Sequence, residues 1–247
     1  MTSPPDGLND LPDGLAPEED GDAGALRSGT VTRVAQQQRN PERVSVFIDG
    51  RFAFGLAYAL AVEAGLRKGL PLSAEAQADL LERQRACSAR AAALDFLSRR
   101  ARTTAEVRRA LVKKGYDADV AERTVAALVA AGYLDDAAYA TAYVRGRFAG
   151  RGHGPARLRQ DLAQRGIDRA LIDMALATLE AEEDLAQTVR RHAAKRWRTL
   201  ASEPDVTRRA RKTFNFLLRQ GFAYDLAREA IEHLRAGEPE APEGCDP

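Results

Sequence analysis

The sequence contains few cysteines and no long apolar run, and each shortage excludes a class of protein. Only 2 of its 247 residues are cysteine, which excludes a disulfide framework, so we expect Cys87 and Cys245 to be unpaired. No apolar run approaches the roughly 18–20 residues that span a bilayer. The N-terminus also lacks the basic start and apolar stretch of a signal peptide. We therefore expect a cytoplasmic protein without membrane contacts.

The common motifs of phosphate, zinc and dithiol sites are missing as well. The nearest glycine-rich stretch, residues 150–155, is expected to link two helices, since a phosphate-binding loop follows a strand. In an alternative interpretation, Arg151 and the amides that begin the next helix hold a phosphate or a carboxylate. Asp135 and Asp136 precede a helix, a position typical of caps rather than metal ligands. We therefore expect the protein to have no enzymatic activity and to bind no cofactor or metal ion. We expect His153, His192 and His233 to lie at the surface or in linkers.

The near-neutral net charge of +1 hides a segregation of charge along the chain. Residues 1–28 hold seven acids and one base, and residues 236–247 hold four acids and no base. The remaining body keeps 36 of the 37 bases but only 25 of the 36 acids, a formal charge of +11. Such a body indicates a polyanionic or acidic protein partner, although an Ala- and Arg-rich composition also arises from genome bias.

The acidic segments at the two ends, residues 1–28 and 237–247, are predicted to be disordered because they combine low hydrophobicity with Pro, Gly and excess acid. The acidic segment of residues 1–28 has two alternative interpretations: it shields the basic body from non-specific binding, or it is a solvated tail without a role.

Alternating apolar residues after Thr30 predict a small sheet. Val44, Val46 and Ile48 precede Asp49-Gly50, a dipeptide typical of a tight hairpin, and Phe52 and Phe54 continue the alternation. A further strand is expected near residues 31–37. So small a sheet must pack on a helix, predicted over residues 56–64.

Beyond Ser73 the sequence predicts helices, and they repeat. Three segments align without gaps, so that every matched position keeps the same offset from one segment to the next. Their matching positions are Leu111, Gly115, Tyr116, Val120, Thr124, Val125 and Leu128; Leu162, Gly166, Ile167, Leu171, Ala175, Leu176 and Leu179; and Leu217, Gly221, Phe222, Leu226, Ala230, Ile231 and Leu234. Each segment predicts a helix, a glycine at its C′ position, and a second helix with one apolar stripe.

A further helix should precede each pair, near residues 89–100, 136–147 and 185–198, and residues 103–106 predict a capping box. The fold class is therefore mainly α: three tandem three-helix repeats in an elongated curved array, with a small N-terminal β-hairpin module and acidic tails. The expected divisions are 1–28, 29–72, 73–135, 136–182, 183–236 and 237–247.

Basic residues recur at similar places in all three repeats. Any single cluster is typical of a solvated helix face, but the recurrence favours a binding stripe that contacts phosphate or acidic protein without reading bases. The aromatics nearby, Phe148 and Trp197, are expected to close the core. The candidate binding residues are Arg99, Arg100, Arg102, Arg109, Lys113, Lys114, Arg145, Arg147, Arg151, Arg157, Arg159, Arg208, Arg211 and Lys212.

The repeats also resemble a known family. The run Leu94-Asp-Phe96-Leu97 through Lys114-Gly115-Tyr116 resembles the first repeat of RecX proteins, and Gly132-Tyr133-Leu134-Asp135-Asp136 resembles the junction before the second. Gly154-Pro155 through Gly166-Ile167 continues the likeness, which covers about residues 29–235. The long acidic arm and Thr103-Thr104, where a Ser is expected, depart from the family pattern.

The resemblance implies a regulator that binds in the groove of the RecA–DNA filament and suppresses its ATPase, strand exchange and co-protease activities. Its implied partners are RecA, the nucleoprotein filament and DNA, the last through salt-dependent contacts, and we expect a monomer. Two other classes stay open: an independent basic helical DNA-binding protein, such as a transcriptional regulator, and a helical scaffold.

Overall fold

The computed structural model describes residues 26–236, and within that range the chain forms ten helices and four strands. The predicted fold class, mainly helical with three helical domains and a small N-terminal sheet, is confirmed. The acidic arm predicted over residues 1–28, up to residue 25, and the tail predicted over 237–247 lie outside the described residues.

The N-terminal sheet is antiparallel with strand order β3-β2-β1-β4. Asp49 and Gly50 both have positive φ, 49° and 83°, as the predicted hairpin turn requires. The two-residue strand β4, which the sequence pattern does not predict, pairs with the start of β1. The strands are β1 (Gly29–Gln36), β2 (Arg43–Ile48), β3 (Arg51–Ala57) and β4 (Pro71–Leu72).

The inner face of this sheet packs on two helices, α1 (Tyr58–Glu63) and α2 (Ala74–Ser98). Its core joins Val31, Val44, Val46, Phe54 and Leu56 to Leu60 and Leu80. The Gln84 side chain accepts a hydrogen bond from the Ala57 amide at 2.6 Å, which fixes the end of β3 to α2. The helix predicted from residue 56 begins at Tyr58, because residues up to Ala57 pair with β2.

The remaining helices follow the predicted repeat, with two differences in length. The first helix of repeat 1 is α2, which starts at Ala74 rather than near residue 89 and ends at Ser98. The first helix of repeat 2 continues past the predicted end at Arg147 to Arg151. The bounds are α3 (Thr104–Lys113), α4 (Ala118–Ala130), α5 (Asp136–Arg151), α6 (Pro155–Gln164), α7 (Arg169–Glu182), α8 (Leu185–Thr199), α9 (Val206–Gln220) and α10 (Tyr224–Ala236).

The three repeated glycines end their helices in the same way. Gly115, Gly166 and Gly221 have φ of 91°, 82° and 90°. In each repeat the amide of the residue after the glycine donates to a leucine carbonyl one turn back, that of Leu111, Leu162 or Leu217, at 3.2, 3.2 and 3.3 Å. This is the Schellman arrangement, which needs the left-handed conformation that glycine adopts without strain. The predicted C′ glycines are confirmed.

Two compact bodies divide the chain, and each is described by itself. Among the described residues, the first body comprises residues 26–96 together with Leu111–Thr124, and the second comprises Leu97–Ala110 together with residues 125–236. The core of the second body collects the predicted stripes of repeats 2 and 3, including Leu162, Leu176, Leu179, Leu217 and Ala230.

Truncating Leu162 tests the buried stripe. Its side chain is fully buried in the second body, so Leu162→Ala should lower the free energy of unfolding by about 2–5 kcal/mol through lost burial and a residual cavity. Leu218→Ala, at a side chain that is 37% exposed, is the matched control and should cost less than about 1 kcal/mol, as expected away from the core. Urea denaturation followed by circular dichroism measures both; equal losses would contradict the assigned face.

Candidate polyanion-binding surface

At least five of the predicted binding residues face a carboxylate in the described chain. These pairs are largely exposed on the cationic side, where water screens the attraction, so they lower the local positive charge without locking the side chain. They are Arg145–Glu182 at 2.6 Å, Arg159–Asp173 at 3.0 Å, Arg208–Glu203 at 3.6 Å, Lys212–Glu203 at 2.5 Å and Arg100–Glu106 at 4.0 Å.

Other predicted residues lie at helix ends and linkers. The prediction that Arg99 and Arg100 end the first helix of repeat 1 is wrong, because α2 ends at Ser98; they lie with Arg102 in the linker before α3. Arg109 is exposed on α3 and donates to the Arg165 carbonyl at 3.4 Å. The remaining members are exposed too: Arg211 on α9, and Lys113 and Lys114 in the first body at the end of α3.

Three predicted arginines converge on the linker between α5 and α6, and we call Arg147, Arg151 and Arg157 the linker cluster. Arg147 lies 5.2 Å from the centre of the Tyr143 ring. Burial lowers the pKa of the intervening His153, and the charges of all three arginines add to that shift. Within residues 26–236 no carboxylate lies within ion-pair distance of any of them, which leaves their charge available to an external anion.

The backbone beneath the cluster is tied to repeat 3. The Gly154 amide donates to the Gln220 carbonyl at 2.7 Å, and the Ala156 amide donates to the Gly221 carbonyl at 3.1 Å. The positive N-terminus of α6 therefore meets the negative C-terminus of α9. In the alternative interpretation, the amides that begin α6 hold a phosphate or a carboxylate. This is wrong for the amides of Gly154 and Ala156, because each already donates its hydrogen bond to a carbonyl of α9 or its glycine turn.

The junction between repeats 1 and 2 uses the same positions. In the alignment of the repeats, Thr103 is equivalent to Gly154, and Arg165 is equivalent to Gln220. The Thr103 hydroxyl donates to the Arg165 carbonyl at 2.8 Å, as the Gly154 amide does to the Gln220 carbonyl. At both junctions, therefore, the glycine turn of one repeat docks on the N-terminus of the middle helix of the repeat before it.

The side chains of the two junctions correspond too. Glu106 pairs with Arg165 at 2.9 Å, and at the equivalent positions Arg157 donates to the Gln220 side chain at 3.3 Å. Arg157 therefore has two roles, in the linker cluster and in the junction.

The caps near these junctions are partly as predicted. Thr103 and Glu106 form the expected capping box, with bonds of 3.1 and 3.4 Å. Asp135 caps α5 by accepting from the Ala138 amide at 2.9 Å. Asp136 instead accepts from the Thr104 amide and hydroxyl at 2.9 and 2.7 Å, a link between repeats that the sequence does not reveal.

His153 lies in the predicted linker but is buried, with 6% exposed. Burial is the main cause that lowers its pKa, followed by the charge of Arg157; Asp161, 3.6 Å away, opposes the shift. Burial also lowers the pKa of His192, with Arg191 and Lys195 adding to it. The only sequence signal for the burial of His153 is the pair of glycines that flank it.

These two histidines predict a pH dependence of stability. Their ordinary pKa is 6.5 and the folded value is lower, so the unfolded state binds more protons as the pH falls below about 6.5. The free energy of unfolding should therefore be constant above that pH and fall as the solution is acidified below it. Urea titrations at neutral pH and at about pH 5.5 measure the difference.

Substitution of one histidine assigns the effect. His153→Gln should reduce the loss of stability on acidification, whereas His233→Gln, at an exposed position on α10, is the matched control and should keep the wild-type response. An equal response in both variants would remove His153 from the account.

The arrangement suits binding rather than bond making. Guanidinium groups grip phosphate or carboxylate oxygens through two parallel hydrogen bonds. Phe148 and Trp197 are buried, as predicted for core residues. In the described part of the chain no group of His, Cys, Asp or Glu is placed to hold a metal ion, and no helix there is long and apolar enough to cross a membrane.

Four family models match the chain in consecutive order. They are the regulatory protein RecX N-terminal domain over residues 29–73 and the first, second and third three-helix domains of RecX over residues 89–128, 135–176 and 182–231.

Individual relatives agree with the models. A protein of Bacillus licheniformis named "Regulatory protein RecX" is 32% identical over 207 residues, which cover 82% of this chain and 76% of the relative. A protein of the same name from Clostridium botulinum is 27% identical and covers 82% and 94%. A crystal structure of regulatory protein RecX superposes with a TM-score of 0.67 at 26% identity, covering 83% of this chain and 99% of the other.

Proposed function

The chain belongs to the RecX family of regulatory proteins, and on that premise we propose that it binds the RecA filament on DNA and inhibits RecA. The inhibited activities are the ATPase, strand exchange and the co-protease reaction of the SOS response. Inhibition follows from occupancy of the filament, without a catalytic step or a cofactor, and takes place in the cytoplasm. The acting species is a monomer.

The observation that carries this proposal is the linker cluster on a junction fixed by backbone hydrogen bonds. Arg147, Arg151 and Arg157 lie at the end of α5 and the start of α6, and Gly154 and Ala156 anchor that segment to α9. Charges on a fixed backbone lose less entropy on binding than charges on a mobile loop. The cluster therefore suits the acidic protein surface and the phosphates of a nucleoprotein filament.

Sedimentation of RecA filaments on circular single-stranded DNA tests the proposal. We expect this protein to pellet with the filament and to pellet less with DNA alone at the same ionic strength. Equal pelleting with naked DNA, with no gain from RecA, would favour an independent DNA-binding protein, and no pelleting in either case would contradict both.

The lysines of the first body give a separate prediction. Lys113 and Lys114 are exposed, so reversing both to Glu should weaken inhibition of the RecA ATPase several-fold, because rim charges contribute mainly to encounter. Helicity should stay unchanged. Arg85→Glu combined with Arg90→Glu, at exposed positions of α2 in the same body, carries the same charge change and should leave inhibition intact. Unaltered inhibition by the lysine variant at moderate salt would exclude this pair from the interface.

A further inference from the structure

The face of the N-terminal sheet opposite its core carries aromatic and arginine side chains. Strand register aligns Arg33 with Phe47 and Phe47 with Phe52 in one row. The next row aligns Ala35, Ser45 and Gly55. A third row brings Arg43 beside Ala57 and Gln37. Alternate residues of a strand point to opposite faces of the sheet, so the three rows lie on the side away from Val44, Val46 and Leu56. We call the surface that these three rows form the outer face.

A bulge puts Phe52 on this face. Strict alternation from Phe54 and Leu56, which are buried in the core, would turn Phe52 inward. The β2–β3 register shifts between Val46 and Phe47, so Phe52 pairs with Phe47 instead. Such a bulge re-aims a side chain at a cost in pairing. Phe52 therefore lies on an edge strand with 39% of its side chain exposed. Packing of the core does not explain why this residue is aromatic.

The aromatic row is arranged like a stacking surface. The Phe47 and Phe52 rings meet edge to face, 5.8 Å apart and 76° between planes. The Arg33 guanidinium lies 3.9 Å from the centre of the Phe47 ring. Stacking uses the flat face of the guanidinium and leaves its N–H edge for an anion. Phe47 is covered by Arg33 and Phe52, so Phe52 offers the free ring.

The neighbouring row lies beneath polar side chains. Gly55 lacks a side chain, and the Gln37 Nε2 atom and an Arg43 guanidinium nitrogen lie 3.2 and 3.3 Å from the position that a Cβ there would take, so both side chains reach across this row. None of the described residues in the three rows is acidic. Of the acids in the adjoining turns, Asp49 accepts from the Thr30 amide at 3.0 Å in the hairpin, and Glu42 lies before β2.

We propose that the outer face binds single-stranded DNA, with one base stacked on Phe52 and flanking phosphates held by Arg33 and Arg43. An exposed ring with the Arg33 and Arg43 guanidiniums on the same face fits a chain whose charged backbone runs beside unpaired bases. Every base has a flat face, so binding is tolerant of sequence. A duplex hides its bases within the stack and gains less. This function goes beyond RecA binding and does not rest on it.

Comparison of thymine and abasic oligomers separates stacking from charge. Fluorescence anisotropy of the full chain measures affinity for a dT 15-mer and for a 15-mer of abasic sites. Phe52→Leu, which keeps a large apolar side chain without a ring, should lower dT affinity about fivefold or more, the lower end for one lost stacked base. Affinity for the abasic oligomer should not change, and Phe52→Trp should retain dT binding.

Controls in the same module fix the interpretation. Val62→Ala, at a 61% exposed position on α1, should leave both affinities unchanged. Arg33→Ala should weaken binding of both oligomers because it removes a phosphate contact. An unchanged ratio of dT to abasic affinity in Phe52→Leu would overturn the proposal, as would competition by duplex DNA equal to that by single strands.

Crosslinking locates the contact directly. Irradiation of the wild-type chain with an oligomer containing 5-iodouracil should attach the base to the tryptic peptide of residues 52–67, identified by mass spectrometry. Crosslinks confined to peptides from residues 97–236 would assign single-strand binding to the helical repeats and overturn the assignment to the sheet.

Discussion

Replacing Gly154 by alanine should lower the free energy of unfolding by about 3 kcal/mol, although the change adds one methyl group. A Cβ at Gly154 would lie 2.5 Å from both the carbonyl carbon and the oxygen of Gly221 and 2.6 Å from the Phe222 amide nitrogen. These are backbone atoms, so no side-chain rotation relieves the clash. Overpacking of this kind costs about 1–3 kcal/mol.

The same substitution separates the two backbone hydrogen bonds of the junction, from the amides of Gly154 and Ala156, each contributing about 0.5–1.5 kcal/mol. Gly146→Ala is the matched control. It lies within α5, where a Cβ meets nothing within 4 Å, so alanine should stabilise the helix by up to about 1 kcal/mol. Urea denaturation measures both variants. A change below about 0.5 kcal/mol for Gly154→Ala, the size typical of a surface substitution, would contradict the docked junction.

Reversing the charges of the linker cluster should have the largest effect on inhibition of RecA. The triple variant Arg147→Glu, Arg151→Glu, Arg157→Glu should raise the concentration needed for half-inhibition of the RecA ATPase at least about tenfold. A tenfold change corresponds to about 1.4 kcal/mol, less than the cost of placing three like charges against an acidic surface. Steady-state ATP hydrolysis on single-stranded DNA measures it.

A matched triple separates position from net charge. Arg85, Arg90 and Arg219 are exposed and lie outside the candidate set, and their reversal to Glu changes the net charge equally. We expect that control to inhibit RecA within about twofold of the wild type. Because Arg157 also bonds Gln220, thermal unfolding of both triples must show a folded protein. Equal loss in both triples would mean that overall charge, and not the linker cluster, governs binding.

Local features of the fold could be predicted from the sequence because they depend on residues a few positions apart. The glycine turn at Gly166, the cap by Asp135 and the hairpin at Asp49-Gly50 each follow from neighbouring residue types. The buried stripe that includes Leu176 follows from helical periodicity and from its recurrence in three segments.

Features that depend on distant pairing could not be predicted. The close approach at Gly154 arises from the end of α9, which is far from that residue along the chain. Phe52 faces outward because of a register shift, whereas alternation alone places it inward. The first half of α2 was not predicted because it lacks an apolar stripe: its buried residues include the polar Gln77 and Gln84, with Leu80 the only large apolar one among them.

The candidate site was predictable in composition but not in electrostatics. Every arginine carries the same formal charge in the sequence, whereas in the structure Arg145 lies against Glu182 and Arg147 lies over a tyrosine ring. The pairing that distinguishes the two joins residues in different helices, α5 and α7. The linker cluster therefore emerges only once the helices are in place.

The ATPase rate of RecA on single-stranded DNA, titrated with this protein, tests the central claim most directly. We expect the rate to fall at ratios far below one molecule per RecA subunit, because one regulator bound to a filament affects many subunits. An unchanged rate up to equimolar protein, under conditions where the protein binds the same DNA tightly, would contradict action on RecA.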